Sequence, residues 1–200
     1  MKKSVFGIVA AALFFAGAEV MSAEVYLHDL DISKTRQGLK TAARDLNLFG
    51  KKLQVAGQVY TNGMATHSPS ELYVELCGAR RFRAEAGVDD ASDQAGKKMV
   101  FQVIGDGRLL WQSPPLKRGD APVTADVDLA DFKTALLRVD PWQDGTAGDH
   151  ADWLNACFVT DDGVKPQAVE ALGWPRVWLS SLDMAFAEPA GCCRGAPFQI

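Results

Sequence analysis

Hydrophobic and polar residues alternate with a period of two along much of residues 24–160. The clearest run, Lys98 to Gln112 (KMVFQVIGDGRLLWQ), places Phe101 and its apolar neighbours two positions away on one face. Such alternation is typical of β-strands, because successive side chains of a strand point to opposite faces of the sheet. The Asp106-Gly107 pair readily takes the positive φ angles of a tight turn, so this run predicts an antiparallel hairpin.

The same pattern recurs along the chain and predicts about ten short strands. The other predicted strands cover residues 24–32, 51–64 (two strands), 71–76, 81–88, 123–129, 133–139 and 153–160. Residues 33–47 lack the alternation, and their loosely helical spacing favours a short helix or a turn. Short strands with turn signals at close intervals and no sustained helical period predict an all-β sandwich or jelly roll.

The N-terminal residues 1–23 have the features of a secretory signal. Lys2 and Lys3 precede an apolar run, and small residues offer cleavage after Ala18 or Ala23. The run of roughly 14 apolar residues is short of the ~20 that span a bilayer. We therefore expect a secreted or periplasmic protein with no membrane association after cleavage.

The C-terminal residues differ from the rest of the chain. Residues 161–175 are interrupted by glycine and proline and are predicted to be a linker. The following segment, Arg176 to Met184 (RVWLSSLDM), repeats the hydrophobic pattern of Glu24 to Ile32 (EVYLHDLDI). Residues 176–200 are therefore interpreted as the incomplete start of a second copy of the domain, with chance similarity as the alternative.

Composition excludes some classes of protein. With 200 residues, 48% of them hydrophobic and 23% charged, the chain can bury one substantial core. The net charge of −4 comes without a basic patch, so nucleic acid is not an expected partner.

Three disulfide pairings are open to the four cysteines, which are Cys77, Cys157, Cys192 and Cys193. A bridge between Cys77 and Cys157 and a pair of buried free thiols are both open, and adjacent Cys192 and Cys193 lack zinc-site spacing.

Three polar clusters interrupt the strands, at residues 66–70 (THSPS), 89–93 (DDASD) and 149–153 (DHADW). Their carboxylates and imidazoles are suited to acid/base or metal chemistry, but also to hydrogen bonding of sugar hydroxyls beside a stacking ring. Alternatively, His67, Asp152 and Trp153 form a satisfied polar cluster between the sheets. The sequence has no nucleophile elbow, phosphate loop or zinc spacing, so no catalytic site is predicted.

Five blocks of sequence occur in order and carry a family resemblance: VYLHDLDI, GMATHSPSELYVEL, RRFRAEAGVDD, VFQVIGDGRLLWQS and DHADWLNACF. Together they resemble the NPCBM domain, a carbohydrate-binding module type found in glycoside hydrolase family 98 proteins and beside bacterial α-galactosidases. The resemblance covers about residues 24–160. It implies a galactose-binding-like β-sandwich, a noncatalytic sugar-binding role and, in some members, a structural calcium ion.

The resemblance also assigns residues. The recurrent family positions fall on His67, Ser70, Phe82, Gly87, Asp89, Asp90, Asp106, Gly107, Asp149, Asp152 and Trp153. Of these, Phe82, Asp106, Gly107, Asp152 and Trp153 are expected to be structural. The candidate sugar-binding residues are Trp142, Asp149, His150, His67, Asp89 and Asp90. Family members usually carry Gly-Trp-Gly after the first strand, whereas this chain has Gln37-Gly38-Leu39-Lys40, so one aromatic ring is absent.

The leading hypothesis is a secreted noncatalytic carbohydrate-binding accessory module, belonging to a glycoside hydrolase such as an α-galactosidase and binding a galactose-containing glycan. The alternative is a structural or protein-interaction β-sandwich that binds no sugar. A small glycosidase is a third and weaker hypothesis, because paired carboxylates on loops are common in sandwiches of this size.

Overall fold

The computed structural model describes residues 22–93, 96–143, 145–161 and 163–170. These residues form antiparallel strands, with two single turns of 3-10 helix at Leu27–Asp29 and Ile32–Lys34. In chain order the strands are β1 Ser22–Tyr26, β2 Arg36–Gln37, β3 Ala43–Arg44, β4 Leu53–Val55, β5 Gln58–Tyr60, β6 Gly63–His67, β7 Ser70–Glu75, β8 Arg81–Val88, β9 Lys98–Gly105, β10 Arg108–Gln112, β11 Leu116–Lys117, β12 Val123–Asp128, β13 Thr134–Pro141, β14 His150–Asp161 and β15 Gln167–Val169.

Most of these strands form two sheets that face each other. Sheet A has the order β12-β8-β14-β6-β3, with β1 beside β14. Sheet B has the order β10-β9-β13-β7-β15, with β11 beside β9 and β2 beside β7. Strands β4 and β5 form a separate hairpin. The predicted all-β sandwich of the galactose-binding-like type is confirmed.

The main core lies between the sheets and contains the fully buried aromatic rings of Phe82, Phe101, Trp153 and Phe158. The Trp153 ring lies 5.1 Å from Phe101 at an interplanar angle of 89° and 5.7 Å from Phe82 at 74°. Edge-to-face packing of this kind adds to the free energy gained by burying the rings. The dry face predicted for the 98–112 segment is therefore the centre of the core.

The predicted hairpin is present as β9 and β10. Asp106 and Gly107 form its turn with φ angles of 44° and 81°. The Asp106 carboxylate also accepts hydrogen bonds from the backbone N–H groups of Lys133 and Thr134, at 3.0 and 2.8 Å, and from the Thr134 hydroxyl at 2.8 Å. Asp106 therefore fixes the start of β13 as well as the hairpin turn.

A second, smaller apolar layer covers part of the outer face of sheet A. It consists of Leu48, Leu53, Val55 and Tyr60, packed on Ala65 and Leu154. The β4–β5 hairpin approaches the sheet closely, because a Cβ atom at Gly87 would lie 2.7 Å from Cγ1 of Val55. Glycine at this position lets the hairpin pack directly on β8.

Residues 33–47, which were predicted to form a short helix or a turn, contain no α-helix. They hold the end of a 3-10 turn and the two-residue strands β2 and β3. Lys40 and Asp45 have φ angles of 58° and 56°, in the left-handed region that interrupts a right-handed helix. The first predicted strand is also shorter than expected, since β1 ends at Tyr26.

The C-terminal boundary of the domain differs from the prediction. Strand β15, which lies within the segment predicted as a linker, pairs with β7, and the Lys34 ammonium donates to the carbonyl of Ala168 at 3.0 Å.

A cysteine bridge between Cys77 and Cys157 is not formed, because Cys77 is disulfide-bonded while Cys157 is a buried free thiol.

Other sequence predictions lie outside the described residues. They concern residues 1–21 of the signal, residues 176–200 of the second copy, Cys192 and Cys193. Within the described part of the chain, no helix has the length and apolar character needed to cross a membrane.

Candidate carbohydrate-binding site

Strand pairing brings the three polar clusters of the sequence together at one end of the sandwich. His67 ends β6 and lies directly opposite His150, the first residue of β14, and their rings are 5.2 Å apart. Asp89 follows β8 on the other side of β14, and its backbone N–H donates to the His150 carbonyl at 3.0 Å. Asp149 precedes His150, and its carbonyl accepts from the Ser68 N–H at 3.1 Å.

The ring nitrogens of the two imidazoles differ in their hydrogen bonds. Nδ1 of His67 lies 2.7 Å from the Ser68 carbonyl, which can only accept, so Nδ1 carries a hydrogen. His150 is 7% exposed, and its Nδ1 has no hydrogen-bond partner among the described residues. Burial, followed by the neighbouring His67, lowers the pKa of His150. At neutral pH His150 is therefore uncharged and can serve as both donor and acceptor.

Phe49 adds an aromatic surface beside these imidazoles. Its ring is 50% exposed and meets the His150 ring at a centroid distance of 5.0 Å and an angle of 69°. The Lys40 ammonium lies 4.4 Å from the Phe49 centroid. A half-exposed ring next to buried hydrogen-bonding groups is the arrangement that suits an apolar sugar face with hydroxyls at its rim. The sequence prediction missed Phe49; the only local signal is an aromatic residue just before Gly50 in a polar turn.

Trp142, the aromatic residue predicted from the sequence, lies at the same end of the sandwich. It follows β13 in the segment that leads to His150, its side chain is 40% exposed, and its backbone N–H donates to the Lys98 carbonyl at 3.1 Å. The ring contacts within the described residues join His150 to Phe49 and His67, and none of them involves Trp142. Phe49, and not Trp142, is therefore the residue whose ring contacts the imidazole of His150.

Two buried carboxyl groups lie below this surface. Burial raises the pKa of Asp152 well above its ordinary value, and the charge of the neighbouring Asp89 raises it further. Both oxygens of Asp152 and Oδ2 of Asp89 are buried without a hydrogen-bond partner among the described residues. Oδ1 of Asp89 accepts from the Ala91 N–H at 2.7 Å and from the side-chain amide of Asn47 at 3.4 Å.

Asp90 holds the outer layer in place. Its two carboxylate oxygens accept from the backbone N–H groups of Ala56 and Gly57, at 3.1 and 2.8 Å, in the turn of the β4–β5 hairpin. Trp153 lies on the opposite face of β14 from Asp152, in the main core. The alternative in which His67, Asp152 and Trp153 form one polar cluster between the sheets is therefore wrong.

The structural calcium implied by the family resemblance has no matching set of ligands here. Among the described residues, no group of three or more His, Cys, Asp or Glu side chains is placed to hold a metal ion. The neighbour of Asp89, Asn47, presents an amide N–H to it rather than an oxygen. The described residues therefore offer no complete set of metal ligands.

Comparison with known proteins agrees with this architecture. The NPCBM/NEW2 domain family matches residues 23–159. The chain belongs to this family. The match begins within β1 and ends within β14, so it includes the outer layer, all the candidate residues named above and the strands of both sheets except β15. The NPCBM domain is thus the part of the chain that carries the site.

Similar proteins are much longer than the matched region or are themselves modules. A Renibacterium salmoninarum protein named endo-alpha-N-acetylgalactosaminidase is 35% identical over 120 residues, which is 58% of this chain and 8% of that protein. The structure of the CBM51-2 and INT domains of Clostridium perfringens ZmpB is 26% identical, with a TM-score of 0.65 over 70% of this chain and 32% of that one. The CBM51-2 domain has also been solved in complex with GlcNAc.

A further structure shares the fold. The CBM51 module of Clostridium perfringens GH95, solved in complex with methyl-galactose, is 24% identical, with a TM-score of 0.62 over 68% of this chain and 99% of that module. The sandwich of this chain therefore has the fold of a carbohydrate-binding module.

Proposed function

We propose that this NPCBM domain binds carbohydrate at the end of the sandwich where Phe49, His67 and His150 meet. The observation that carries the proposal is the half-exposed ring of Phe49 in edge contact with the imidazole of His150, whose Nδ1 has no hydrogen-bond partner among the described residues. A sugar stacked on the Phe49 ring would bring its hydroxyls close to this imidazole, which when neutral can both donate and accept.

The ligand we propose is a glycan with terminal galactose or an N-acetylhexosamine. Two structurally similar modules support this class, since one was solved with methyl-galactose and the other with GlcNAc. The flanking candidate Trp142, which is 40% exposed, would extend the site towards further sugar units, whereas the candidate Asp149 is completely buried. Such a module would act as an accessory to a glycoside hydrolase outside the cytoplasm, which agrees with the signal-like residues at the N-terminus.

A noncatalytic role is favoured by the state of the carboxyl groups. Glycosidases use two carboxyl groups that reach the glycosidic bond from opposite sides. In this domain Asp152 and Asp89 are both buried, and Asp90 is bound to the β4–β5 turn. None of these three groups is placed to reach a substrate.

The test is a calorimetric titration of the full chain with methyl-β-galactoside and with GlcNAc. We expect saturation with a Kd of about 0.1 to 1 mM, which corresponds to about 4 to 5.5 kcal/mol. Phe49→Ala should weaken binding by about 2- to 10-fold through lost stacking, without a change in melting temperature. Trp142→Ala tests the second ring, and Leu109→Ala, which truncates an exposed residue near the opposite end, is the control. No saturation at ~10 mM would favour a sandwich that binds no sugar.

A further inference from the structure

The Phe49 ring is presented by a turn that depends on one buried side chain, that of Asn47. The amide oxygen of Asn47 accepts from the backbone N–H groups of Phe49 and Lys51, both at 3.0 Å. The backbone of Asn47 adds two more hydrogen bonds, to the Lys51 carbonyl at 2.7 Å and from the Gly50 N–H at 2.9 Å. Asn47 therefore closes the turn from both its side chain and its main chain.

The nitrogen of the Asn47 amide bonds to Asp89, one of the two buried carboxyl groups beneath the site. This Nδ2 atom donates to Oδ1 of Asp89 at 3.4 Å, and Asn47 is only 5% exposed. Asp89 in turn donates its backbone N–H to the His150 carbonyl at 3.0 Å. Asn47 thus links the Phe49 turn to the residue that borders His150, which is the ring that Phe49 contacts.

Packing alone does not fix the Phe49 side chain. Phe49 belongs to neither of the two buried apolar clusters, and half of its surface is exposed. Among the described residues, its ring meets the edge of His150 and the Lys40 ammonium. Because half of Phe49 is exposed, the direction of its ring depends on the backbone of the turn, which four hydrogen bonds of Asn47 hold.

We propose that Asn47 is a positioning residue of the sugar site: it holds the Phe49 ring against His150 by connecting the turn at residues 47–51 to Asp89. This inference rests on the proposed sugar-binding function. It predicts that Asn47 affects sugar affinity only through Phe49. Asn47 does not touch the sugar itself.

A double-mutant cycle on the full chain tests the proposal, with Asn47→Ala, Phe49→Ala and the double variant titrated with methyl-β-galactoside or GlcNAc. We expect each single variant to weaken binding by about 2- to 10-fold, and the double variant to bind no more weakly than Phe49→Ala. Gln102→Ala is a matched control, because it removes an amide hydrogen bond to Gln112 on sheet B and should leave the Kd unchanged. Effects of Asn47 and Phe49 that multiply in the double variant would overturn the proposal.

A second measurement needs no sugar and separates this inference from the proposed function. Proton NMR of the wild-type chain should show a nuclear Overhauser contact between the Phe49 and His150 rings, which are 5.0 Å apart. The contact should be lost in Asn47→Ala and kept in Gln102→Ala. If it persists in Asn47→Ala, the positioning role is refuted even when sugar binds. If the wild type binds no sugar, the proposed function fails and the inference fails with it.

Discussion

Replacement of Phe101 by alanine tests whether β9 is the centre of the core. The Phe101 ring is fully buried between the sheets and packs edge-to-face on Trp153 at 5.1 Å. The backbone of Phe101 is held on both sides, because its strand pairs with β13 and its N–H and carbonyl bond to Ser113. The strand is therefore fixed and cannot readily collapse into the space that the ring leaves.

The expected cost follows from these contacts. Truncation of a buried Phe to Ala costs about 3 to 5 kcal/mol, and the value rises when the cavity stays open. Loss of the Trp153 contact adds about 0.5 to 1.5 kcal/mol beyond area burial. We therefore place Phe101→Ala near the upper end, at about 4 to 5 kcal/mol. Since 1 kcal/mol shifts the melting temperature of a domain of this size by about 2 to 4 °C, the midpoint should fall by about 8 to 20 °C.

The assay is thermal and urea unfolding followed by circular dichroism, with Leu109→Ala as the matched control. Leu109 lies on β10 of the same hairpin but is 51% exposed, so its truncation should cost less than about 0.5 kcal/mol. A Phe101→Ala protein that melts within about 1 °C of the Leu109→Ala protein would show that the hairpin does not anchor the core.

Two further predictions concern carboxyl groups. Asp106→Ala removes the acceptor of three hydrogen bonds from Lys133 and Thr134 and should cost about 1 to 2 kcal/mol in urea unfolding at pH 7. Partial burial raises the pKa of Asp106, but these hydrogen bonds outweigh it and lower the pKa. The contribution of Asp106 to the free energy of unfolding is therefore lost as the pH falls through the folded-state pKa. The Asp106→Ala protein should consequently lose less stability in acid than the wild type. Burial, followed by the charge of Asp89, raises the pKa of Asp152 in the folded state. Its contribution to the free energy of unfolding is therefore complete below the unfolded-state pKa of about 3.9 and is lost as the pH rises through the folded-state pKa. Asp152→Asn removes the titrating proton at nearly constant size and should flatten this decline in urea unfolding; an unchanged pH slope would contradict a raised pKa of Asp152.

The strands of the two sheets could be predicted from the sequence wherever one face of the strand is buried and apolar and the other is exposed. In β8, for example, Phe82 alternates with Arg81 and Arg83, and burial follows the same alternation. Residues 33–47 could not be predicted in this way because tertiary contacts determine their path. A Cβ atom at Gly38 would lie 2.9 Å from the Ser68 carbonyl oxygen, a close approach across the chain that no local pattern reveals.

The candidate site was predictable only in part, for a related reason. The polar clusters containing His67 and His150 stand out because they interrupt strands, and antiparallel pairing then places them side by side. Phe49 lies in a loop without periodicity, so its position depends on Asn47 and not on a strand pattern. Adjacent residues Asp152 and Trp153 were grouped together in the sequence, yet a strand sends them to opposite faces.

The buried carboxyl groups explain why the outer layer and the candidate site belong together. Burying Asp89 is unfavourable unless its oxygens find hydrogens, and Asn47 and Ala91 both donate to its Oδ1. The Asn47 contact also attaches the loop that carries Phe49 to sheet A. The hydrogen bond between Asn47 and Asp89 therefore joins a buried carboxyl group beneath the site to the turn that carries the Phe49 ring. Substitutions at these two residues should alter the position of the ring before they disturb the main core.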